Sequence, residues 1–321
     1  MTNPPSDKIT RAEMRDALRR SGYLLESRVE SLLREHWGYV EANATYPDQE
    51  TGKSREFDLF GMIAHQAGPD EHDFLFGVLL IECINNPQPL VILTKDPMVG
   101  FLHHEEVKMA GLPVKIPDEE RHNGWQRLSE FLAMNDYHHY CSGRVGTQFC
   151  SFAKKKSGRD GEWLAMHEGS HYDSFRKLCD VTDYYIDKHF KSWLFGTREH
   201  LNVEFYYPVI ILQGDLMEAH ETKRSVTFRA SDHIQFRQSV ATKGKVTNYQ
   251  IDIVRERYFL KYLKLIDAEL KTSAQLLRRR HEIVRSAIER IVKEAKDANA
   301  PELARKIMDY DEWAYKATGD A

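Results

Sequence analysis

The feature that most constrains this chain is a carboxylate inside an apolar run. Residues 74–84 (FLFGVLLIECI) are almost all apolar and are rich in β-forming side chains. Such a run is typical of a strand that is buried on both faces of a sheet. Glu82 lies inside it, and burying an ionised carboxylate is costly unless it is paired or bound to a metal. We therefore expect Glu82 to be paired with another charged group or bound to a metal ion.

The sequence around this run alternates between helical and β periodicity. Apolar spacing predicts a short exposed helix over 9–20 and a stronger helix over 24–36, which Gly38 ends. Strand patterns separated by turns follow at 39–44, 56–63, 74–84 and 90–94. The first hundred residues therefore predict a mixed α/β unit.

The rest of the chain predicts more elements of both kinds. Helices are expected at 125–134, 172–193 and, as one long stretch, 255–297. Strands are expected within 143–161, which also holds an exposed loop, and at 202–212, 234–241 and 249–254. We interpret residues 1–254 as one α/β domain with a helical insert at about 100–200. Residues 255–321 are expected to form a basic helical tail that packs on this domain or mediates dimerisation.

Two further acidic residues accompany Glu82. Glu26 lies on the helix predicted over 24–36, and Asp58 lies on the strand that follows the first turn. Carboxylates at the ends of two neighbouring strands and on a packed helix supply three oxygen ligands at one place. Such a set suits Mg²⁺ or Mn²⁺, which take one or two carboxylates and keep waters and substrate phosphates. The chemistry that this site supports is metal-assisted hydrolysis of a phosphodiester.

The same residues carry a resemblance to a known family. The segments GYLLESRVESLLREHWGYVEA, TGKSREFDLFG and LLIECINN, within about residues 20–95, resemble the PD-(D/E)xK, or restriction-endonuclease-like, nuclease superfamily. The resemblance implies a mixed central sheet flanked by helices and metal-dependent cleavage of DNA. It also implies that Glu26, Asp58 and Glu82 are the metal ligands.

The sequence departs from the family pattern at one position. The family lysine should stand at position 84, where this chain has Ile84, which can neither position an attacking water nor stabilise a charged transition state. Three alternatives are open. A nearby polar residue takes the part of the lysine (Asn85, Gln88 or Lys95), or Lys53 supplies it from the preceding turn, or the fold binds without cutting.

If the chain is an enzyme, we expect Asp58, Glu82 and Lys95 to be catalytic. Each strand acid also has a plainer interpretation. Asp58 would pair with Arg55 or cap a turn, and Glu82 would form a simple ion pair with Lys95 at a strand edge. A catalytically inactive nuclease-fold protein that binds nucleic acid or acts in assembly is therefore the alternative function.

A zinc-protease motif gives a third candidate. His167, Glu168 and His171 match HExxH, in which two histidines on one helical face hold Zn²⁺ and the glutamate acts as base. Gly169 and Ser170 are poor residues for a helix interior. A helix that begins at Ser170 is therefore the better interpretation.

The net charge of −4 argues against a nucleic-acid partner only until it is divided along the chain. Residues 255–296 contain twelve basic and six acidic side chains, so this segment carries +6 and the remainder −10. It is interpreted either as a helix or helical hairpin with a solvated basic face, or as a phosphate-contacting surface or homodimer arm. We expect DNA contacts at Arg278, Arg279, Arg280, Lys53 and Arg55.

Cysteine and hydropathy patterns indicate a cytoplasmic protein. The four cysteines are scattered without a CxxC pair, which favours a reducing compartment over a disulfide framework. No apolar signal segment follows the polar residues 1–7, and the longest apolar run has eight residues against roughly 20 for a bilayer span. We therefore expect no membrane partner. The histidine pairs at 103–104 and 138–139 are expected at the surface or in packing contacts.

Overall fold

The computed structural model describes residues 8–48, 51–96, 107–118, 124–155, 161–167, 171–195, 200–222, 225–242 and 245–297. The helices in these ranges are α1 (Arg11–Ser21), α2 (Tyr23–His36), α3 (Leu128–Phe131), α4 (Tyr172–Phe195), α5 (Phe259–Arg279) and α6 (His281–Asp297). The strands are β1 (Tyr39–Pro47), β2 (Ser54–Gln66), β3 (Phe74–Ile84), β4 (Leu90–Lys95), β5 (Lys108–Leu112), β6 (Lys115–Asp118), β7 (Gly124–Arg127), β8 (Val145–Lys155), β9 (Glu162–His167), β10 (Asn202–Leu212), β11 (Leu216–Glu221), β12 (Val226–Ala230), β13 (His233–Thr242) and β14 (Lys245–Arg255). Among these helices, none is long and apolar enough to cross a membrane.

Twelve of these strands form one large mixed sheet. Along its main path the order is β1-β2-β3-β10-β14-β13-β8-β4-β11-β12, while β5 pairs with β10 and β9 pairs with β8 beside that path. Strands β6 and β7 form a separate two-stranded sheet. Helices cover both faces of the large sheet, so the predicted mixed α/β class with a helix-flanked mixed sheet is confirmed.

Three parallel strands form the part of the sheet that carries the candidate site. β3 and β10 pair in parallel over their whole length, and β10 continues in parallel to β14. The residues of β3 and β10 are buried almost throughout, as expected for strands that are covered on both faces. The strands predicted at 74–84 and 202–212 are confirmed at those bounds.

Alternate side chains of β3 enter two separate hydrophobic cores. Ile81 packs in the core on the side of α2, α5 and α6, whereas Leu80 packs in the core on the side of α4. Gly77 lets α5 approach the sheet closely, because a Cβ there would lie 2.2 Å from Leu270 Cδ1. Since side chains alternate along a strand, Glu82 shares the α4 side with Leu80.

At one point of the β1–β2 hairpin, the side chains switch from one hydrophobic core to the other. Leu59 packs in the core on the α5 side, but Phe57, two residues earlier, packs in the core on the α4 side. The ladder is interrupted between them, where Asn43 lies opposite Asp58. Asn43 has φ 54°, in the left-handed region that asparagine tolerates better than most residues. The distortion therefore places Asp58 where the hairpin changes sides.

The segment at 100–200 holds more β structure than the predicted helical insert. Its described parts contain strands β5–β9 beside α4 and the single-turn α3, and β5, β8 and β9 join the large sheet. The prediction of a helix at 125–134 was wrong for the first half of this segment, because β7 forms there and pairs with β6. A helical period over so short a segment does not outweigh the hydrogen bonds of a strand ladder.

The segment 255–297 forms two helices instead of the single long one. α5 ends at Arg279, α6 begins at His281, and Arg280 lies outside helical geometry. The Arg280 guanidinium donates to the Phe131 carbonyl and lies 4.9 Å from the centre of its ring, which holds the break in place. The apolar seam that suggested a dimer arm, with Ile266 at its centre, is buried in the chain's own core. A homodimer through this segment stays a prediction.

We expect the face exchange of the hairpin to depend on the backbone of Asn43. Asn43→Ala should lower the free energy of unfolding by about 1–2 kcal/mol, because alanine resists the left-handed conformation, whereas Asn43→Gly should cost much less. Chemical denaturation of both variants measures the difference. Equal losses would contradict a backbone origin.

Candidate functional site

The two strand carboxylates of the expected site lie side by side. β2 and β3 pair in antiparallel fashion with Leu59 opposite Ile81, which brings Asp58 next to Glu82. One carboxylate oxygen of Asp58 accepts a hydrogen bond from the backbone N–H of Cys83 at 2.7 Å. Both acids lie at the carboxyl end of β3, the edge at which open α/β sheets commonly bind ligands.

A lysine that the sequence analysis missed completes this pair. Lys177 lies near the start of α4 beside Phe175 and Leu178, whose side chains are fully buried against the sheet. Its Nζ lies 2.8 Å from Oε1 and 2.9 Å from Oε2 of Glu82. Glu82 is 4% exposed, so Lys177 pairs with a buried carboxylate.

The acids of the cluster are poorly hydrated and repel one another. Burial raises the pKa of Glu82 to about 7, with the charge of Asp58 adding to the shift and Lys177 opposing it. Burial also raises the pKa of Asp58, against the effects of the Cys83 N–H and of Lys177. A cation among these carboxylates would relieve the repulsion and favour their ionised forms. The donor set therefore fits a hard divalent ion such as Mg²⁺ or Mn²⁺.

The helix carboxylate lies at the edge of this cluster. Glu26 is in the first turn of α2, which begins after Gly22. Burial raises the pKa of Glu26, and the charges of Asp58 and then Glu56 add to the shift, so Glu26 lies within electrostatic range of Asp58. Two groups of three acidic or histidine residues in the described part of the chain have ligand atoms that all lie within 4.8 Å of one another. Glu26, Asp58 and Glu82 are not one of these groups. Glu26 is therefore a looser member of the set.

Two of the predicted DNA-contacting residues lie on the same hairpin as Asp58. Arg55, at the start of β2, forms an ion pair with Asp48. Asp48 also accepts a hydrogen bond from the backbone N–H of Thr51 at 2.8 Å, which orders the turn. Lys53 is exposed in this turn. Lys53 and Arg55 thus lie on the hairpin that carries Asp58, but the charge of Arg55 is paired with that of Asp48.

The structure does not bring Lys95 to the acids. Lys95 is exposed at the end of β4, which lies five strand positions from β3 in the sheet order. Ile84 is buried in the core on the α4 side. Asn85 donates its amide to the Arg19 carbonyl at 2.7 Å and so holds the end of α1, and Gln88 lies in the loop before β4. Lys177 is therefore a better placed candidate than Lys95 for the part of the missing family lysine.

The arginine patch also lies away from the acids. Arg278, Arg279 and Arg280 are exposed at the end of α5. The next residue, His281, has its Nε2 3.8 Å from a carboxylate oxygen of Asp73, which directly precedes β3. Glu82 lies near the other end of β3, about 30 Å away at ~3.3 Å per residue. These arginines and the acidic cluster therefore do not form one compact surface.

The two histidines of the HExxH segment do not lie on one described helix. His167 ends β9, and His171 precedes α4, while residues 168–170 lie outside the described ranges. Zinc binding by this motif needs both histidines on one helical face. The described residues therefore do not give His167 and His171 the shared helical face that the zinc-protease interpretation needs.

A second buried cluster, which the sequence analysis did not predict, contains both histidines and carboxylates. Asp252 of β14 is fully buried, and its carboxylate lies 3.1 Å from His139 Nε2 and 2.7 Å from His233 Nε2. Glu269 of α5 accepts from the backbone N–H of His139 at 2.7 Å and lies 2.8 Å from its Nδ1. The two tight triads are His138–His139–Glu269 and His139–His233–Asp252. The pair at 138–139 is buried, as expected for packing histidines, and the pair at 103–104 lies outside the described residues.

Comparisons with known proteins give no relative for either cluster. No protein-family model, no curated protein and no solved structure matches the chain. What the two clusters do must therefore follow from their own chemistry.

We expect Glu82→Gln to stabilise the protein more at pH 8 than at pH 5. Native Glu82 keeps its proton up to about pH 7, whereas its ordinary pKa is 4.5. The native state therefore binds more protons between these values, and the ionised side chain makes stability fall as pH rises through this window. Thermal unfolding of the variant and the wild type at both pH values measures the effect. A pH-independent difference would contradict the raised pKa.

Proposed function

We propose that the chain is a metal-dependent phosphodiester hydrolase with a restriction-endonuclease-like fold, acting on DNA in the cytoplasm. The observation that carries this proposal is the contact of Lys177 Nζ with both carboxylate oxygens of Glu82. Lys177 on α4 thereby supplies the positive charge that Ile84 on β3 cannot supply. The four cysteines are free thiols, which supports the reducing compartment.

The proposed site divides its work among four side chains. Asp58 and Glu82 hold Mg²⁺ or Mn²⁺, with Glu26 as the third acid, because all three pKa values are raised in a way that a nearby cation would reverse. The bound ion would lower the pKa of a water and neutralise charge on the phosphate. Lys177 acts beside them as the fourth group.

Lys177 has the chemistry needed to assist the reaction. An ammonium carries three N–H donors, so Lys177 can donate to Glu82 and to a substrate oxygen at the same time. A positive charge fixed in a partly buried site stabilises charge that develops on the phosphate. Lys53, exposed in the β1–β2 turn, would contact the DNA backbone near the scissile bond.

A catalytically inactive nucleic-acid-binding or assembly protein is the second candidate. The same contact favours it, because Lys177 already neutralises Glu82 and so acts as the structural partner of a buried charge. The two candidate functions differ in one respect. In the hydrolase a metal ion and a substrate phosphate bind beside Lys177 and Glu82, whereas in the binding protein they do not.

We expect the wild type to cleave plasmid DNA with Mg²⁺ or Mn²⁺ and Lys177→Met to lose about 10²–10³-fold in rate, the usual loss for one electrostatic stabilising group. Asp58→Asn and Glu82→Gln should also lose cleavage, because each removes a charged metal ligand. Initial rates from gel densitometry, with circular dichroism to confirm folding, measure these effects.

Lys188→Met is the matched control for Lys177→Met. Lys188 is exposed on the same helix, where its Nζ lies 5.3 Å from the centre of the Tyr185 ring, so this variant should retain the wild-type rate. Cleavage lost in Lys95→Met but kept in Lys177→Met would return the lysine role to Lys95. Absence of cleavage by the wild type on every DNA and RNA tested would leave the binding protein as the better candidate.

We also expect the DNA surface to lie at the β1–β2 hairpin. In an Asp58→Asn background, which binds without cutting, Lys53→Glu should weaken binding to duplex DNA and reduce the salt dependence of the affinity. Arg278→Glu with Arg279→Glu should have a smaller effect, because those residues lie near the other end of β3. Fluorescence anisotropy at two salt concentrations measures both, and the reverse ranking would place DNA on the arginine patch.

A further inference from the structure

The buried cluster around Asp252 has an unbalanced charge. Asp252 is fully buried and Glu269 is 4% exposed, so both carboxylates are removed from water. His139 lies between them. Its Nε2 lies 3.1 Å from an oxygen of Asp252, and its Nδ1 lies 2.8 Å from an oxygen of Glu269. Even a doubly protonated His139 against two carboxylates leaves a net charge of −1 when His233 is neutral, and a buried uncompensated charge is costly.

A divalent metal ion removes this imbalance. If the ion takes the place of the His139 Nε2 proton and His233 carries its single proton on Nδ1, both histidines are neutral and two carboxylates face one dication. The remaining His139 Nδ1–H then donates to Glu269, 2.8 Å away. This is the carboxylate–histidine–metal arrangement by which proteins orient metal-binding imidazoles.

The geometry of the cluster suits such an ion. His139 Nε2, His233 Nε2 and a carboxylate oxygen of Asp252 lie within 4.8 Å of one another, a spacing at which one ion can contact all three once the protons of their hydrogen bonds have left. The hydroxyls of Tyr140 and Tyr262 donate to Asp252 Oδ2 at 3.1 Å and 2.7 Å. These two hydrogen bonds hold the carboxylate in position beneath the histidines.

We propose that His139, His233 and Asp252 bind a divalent transition-metal ion, with Zn²⁺ as the first choice. Imidazole nitrogens are borderline donors that prefer Zn²⁺ and its neighbours to Mg²⁺, and Zn²⁺ also accepts a carboxylate oxygen. Three protein ligands leave a coordination position open for water or another small ligand. Glu269 is a positioning residue, since it acts through His139.

A surface cavity gives the ion a route to this site. The cavity has a volume of about 390 Å³, and His233 and Gln235 line it together with Thr94, Arg144, Glu218 and Arg229. Gln235 lies opposite Asp252 in the β13–β14 ladder and is 7% exposed. Among the described residues, its Oε1 accepts no hydrogen bond. This unused oxygen provides a polar lining next to the proposed metal.

The proposed site is independent of the acidic cluster at Glu82. Asp252 pairs with Val209, which pairs with Ile81, so the two clusters are only two strands apart in the sheet. Asp252 nevertheless contacts α5 on one face, whereas Glu82 contacts α4 on the other. They share no residue, so the metal proposed here does not rest on the proposed nuclease activity.

Zinc binding by the full chain tests this proposal. Protein stripped with a chelator is dialysed against ZnCl₂ and its metal content is measured, and a competing zinc indicator gives the affinity. We expect about one zinc ion per chain at this site and a zinc-dependent rise in melting temperature. Glu269→Gln should weaken binding by about 10–100-fold, the usual effect of removing the carboxylate behind a metal-binding histidine.

His233→Gln and His138→Gln separate this triad from its neighbour. His233 is half-buried at the cavity wall, so His233→Gln should fold and lose the zinc. His138→Gln and Asp58→Asn should keep it. Visible absorption of the Co²⁺-loaded wild type, absent from His233→Gln, would report imidazole coordination directly. Stoichiometric zinc that survives in His233→Gln, zinc lost only in His138→Gln, or no zinc in the folded wild type would each overturn the proposal.

Discussion

The central parallel strands bury two carboxylates, and the arrangement of the layers depends on how other elements neutralise them. Glu82 on β3 is reached by Lys177 from α4, and Asp252 on β14 is reached by His139 from the turn that packs under α5. Neither carboxylate has a charged partner on its own strand in these contacts. Because an unpaired buried charge would cost several kcal/mol, α4 on one face and the turn under α5 on the other must dock where Lys177 and His139 meet the sheet.

The local sequence pattern was sufficient to predict the strands that are buried on both faces. It was not sufficient to predict which residues pair with the charged side chains on those strands. The apolar runs at 74–84 and 202–212 predicted β3 and β10, and the same run predicted that Glu82 needs a cation. Sequence proximity then suggested Lys95, whereas the partner lies 95 residues away in the chain. Strand order explains the difference, because β4 follows β3 in sequence but lies five positions from it in the sheet. Only long-range topology distinguishes the two lysines, and local periodicity does not report it.

The second cluster could have been suspected from the sequence by the argument applied to Glu82. Asp252 also lies between apolar strand residues, Ile251 and Ile253, and so also needs a partner. The identity of that partner could not have been predicted, because His139, His233 and Glu269 come from three distant segments. The position of Asp58 was equally inaccessible, since it depends on the left-handed backbone of Asn43 on the neighbouring strand. Alternation alone would have kept Phe57 and Leu59 on one face.

Ile84 and Lys177 are best understood together. Ile84 has the same parity as Glu82 and is buried against the face that α4 covers, in a core that includes Phe175 and Leu178. A lysine at position 84 would place a second buried charge in that core, whereas an isoleucine fills it at no electrostatic cost. Lys177 reaches Glu82 from the partly exposed side of α4 and so keeps its stem and head near solvent. The aliphatic residue on the strand and the lysine on the helix are therefore one consistent solution, in which the strand supplies packing and the helix supplies charge.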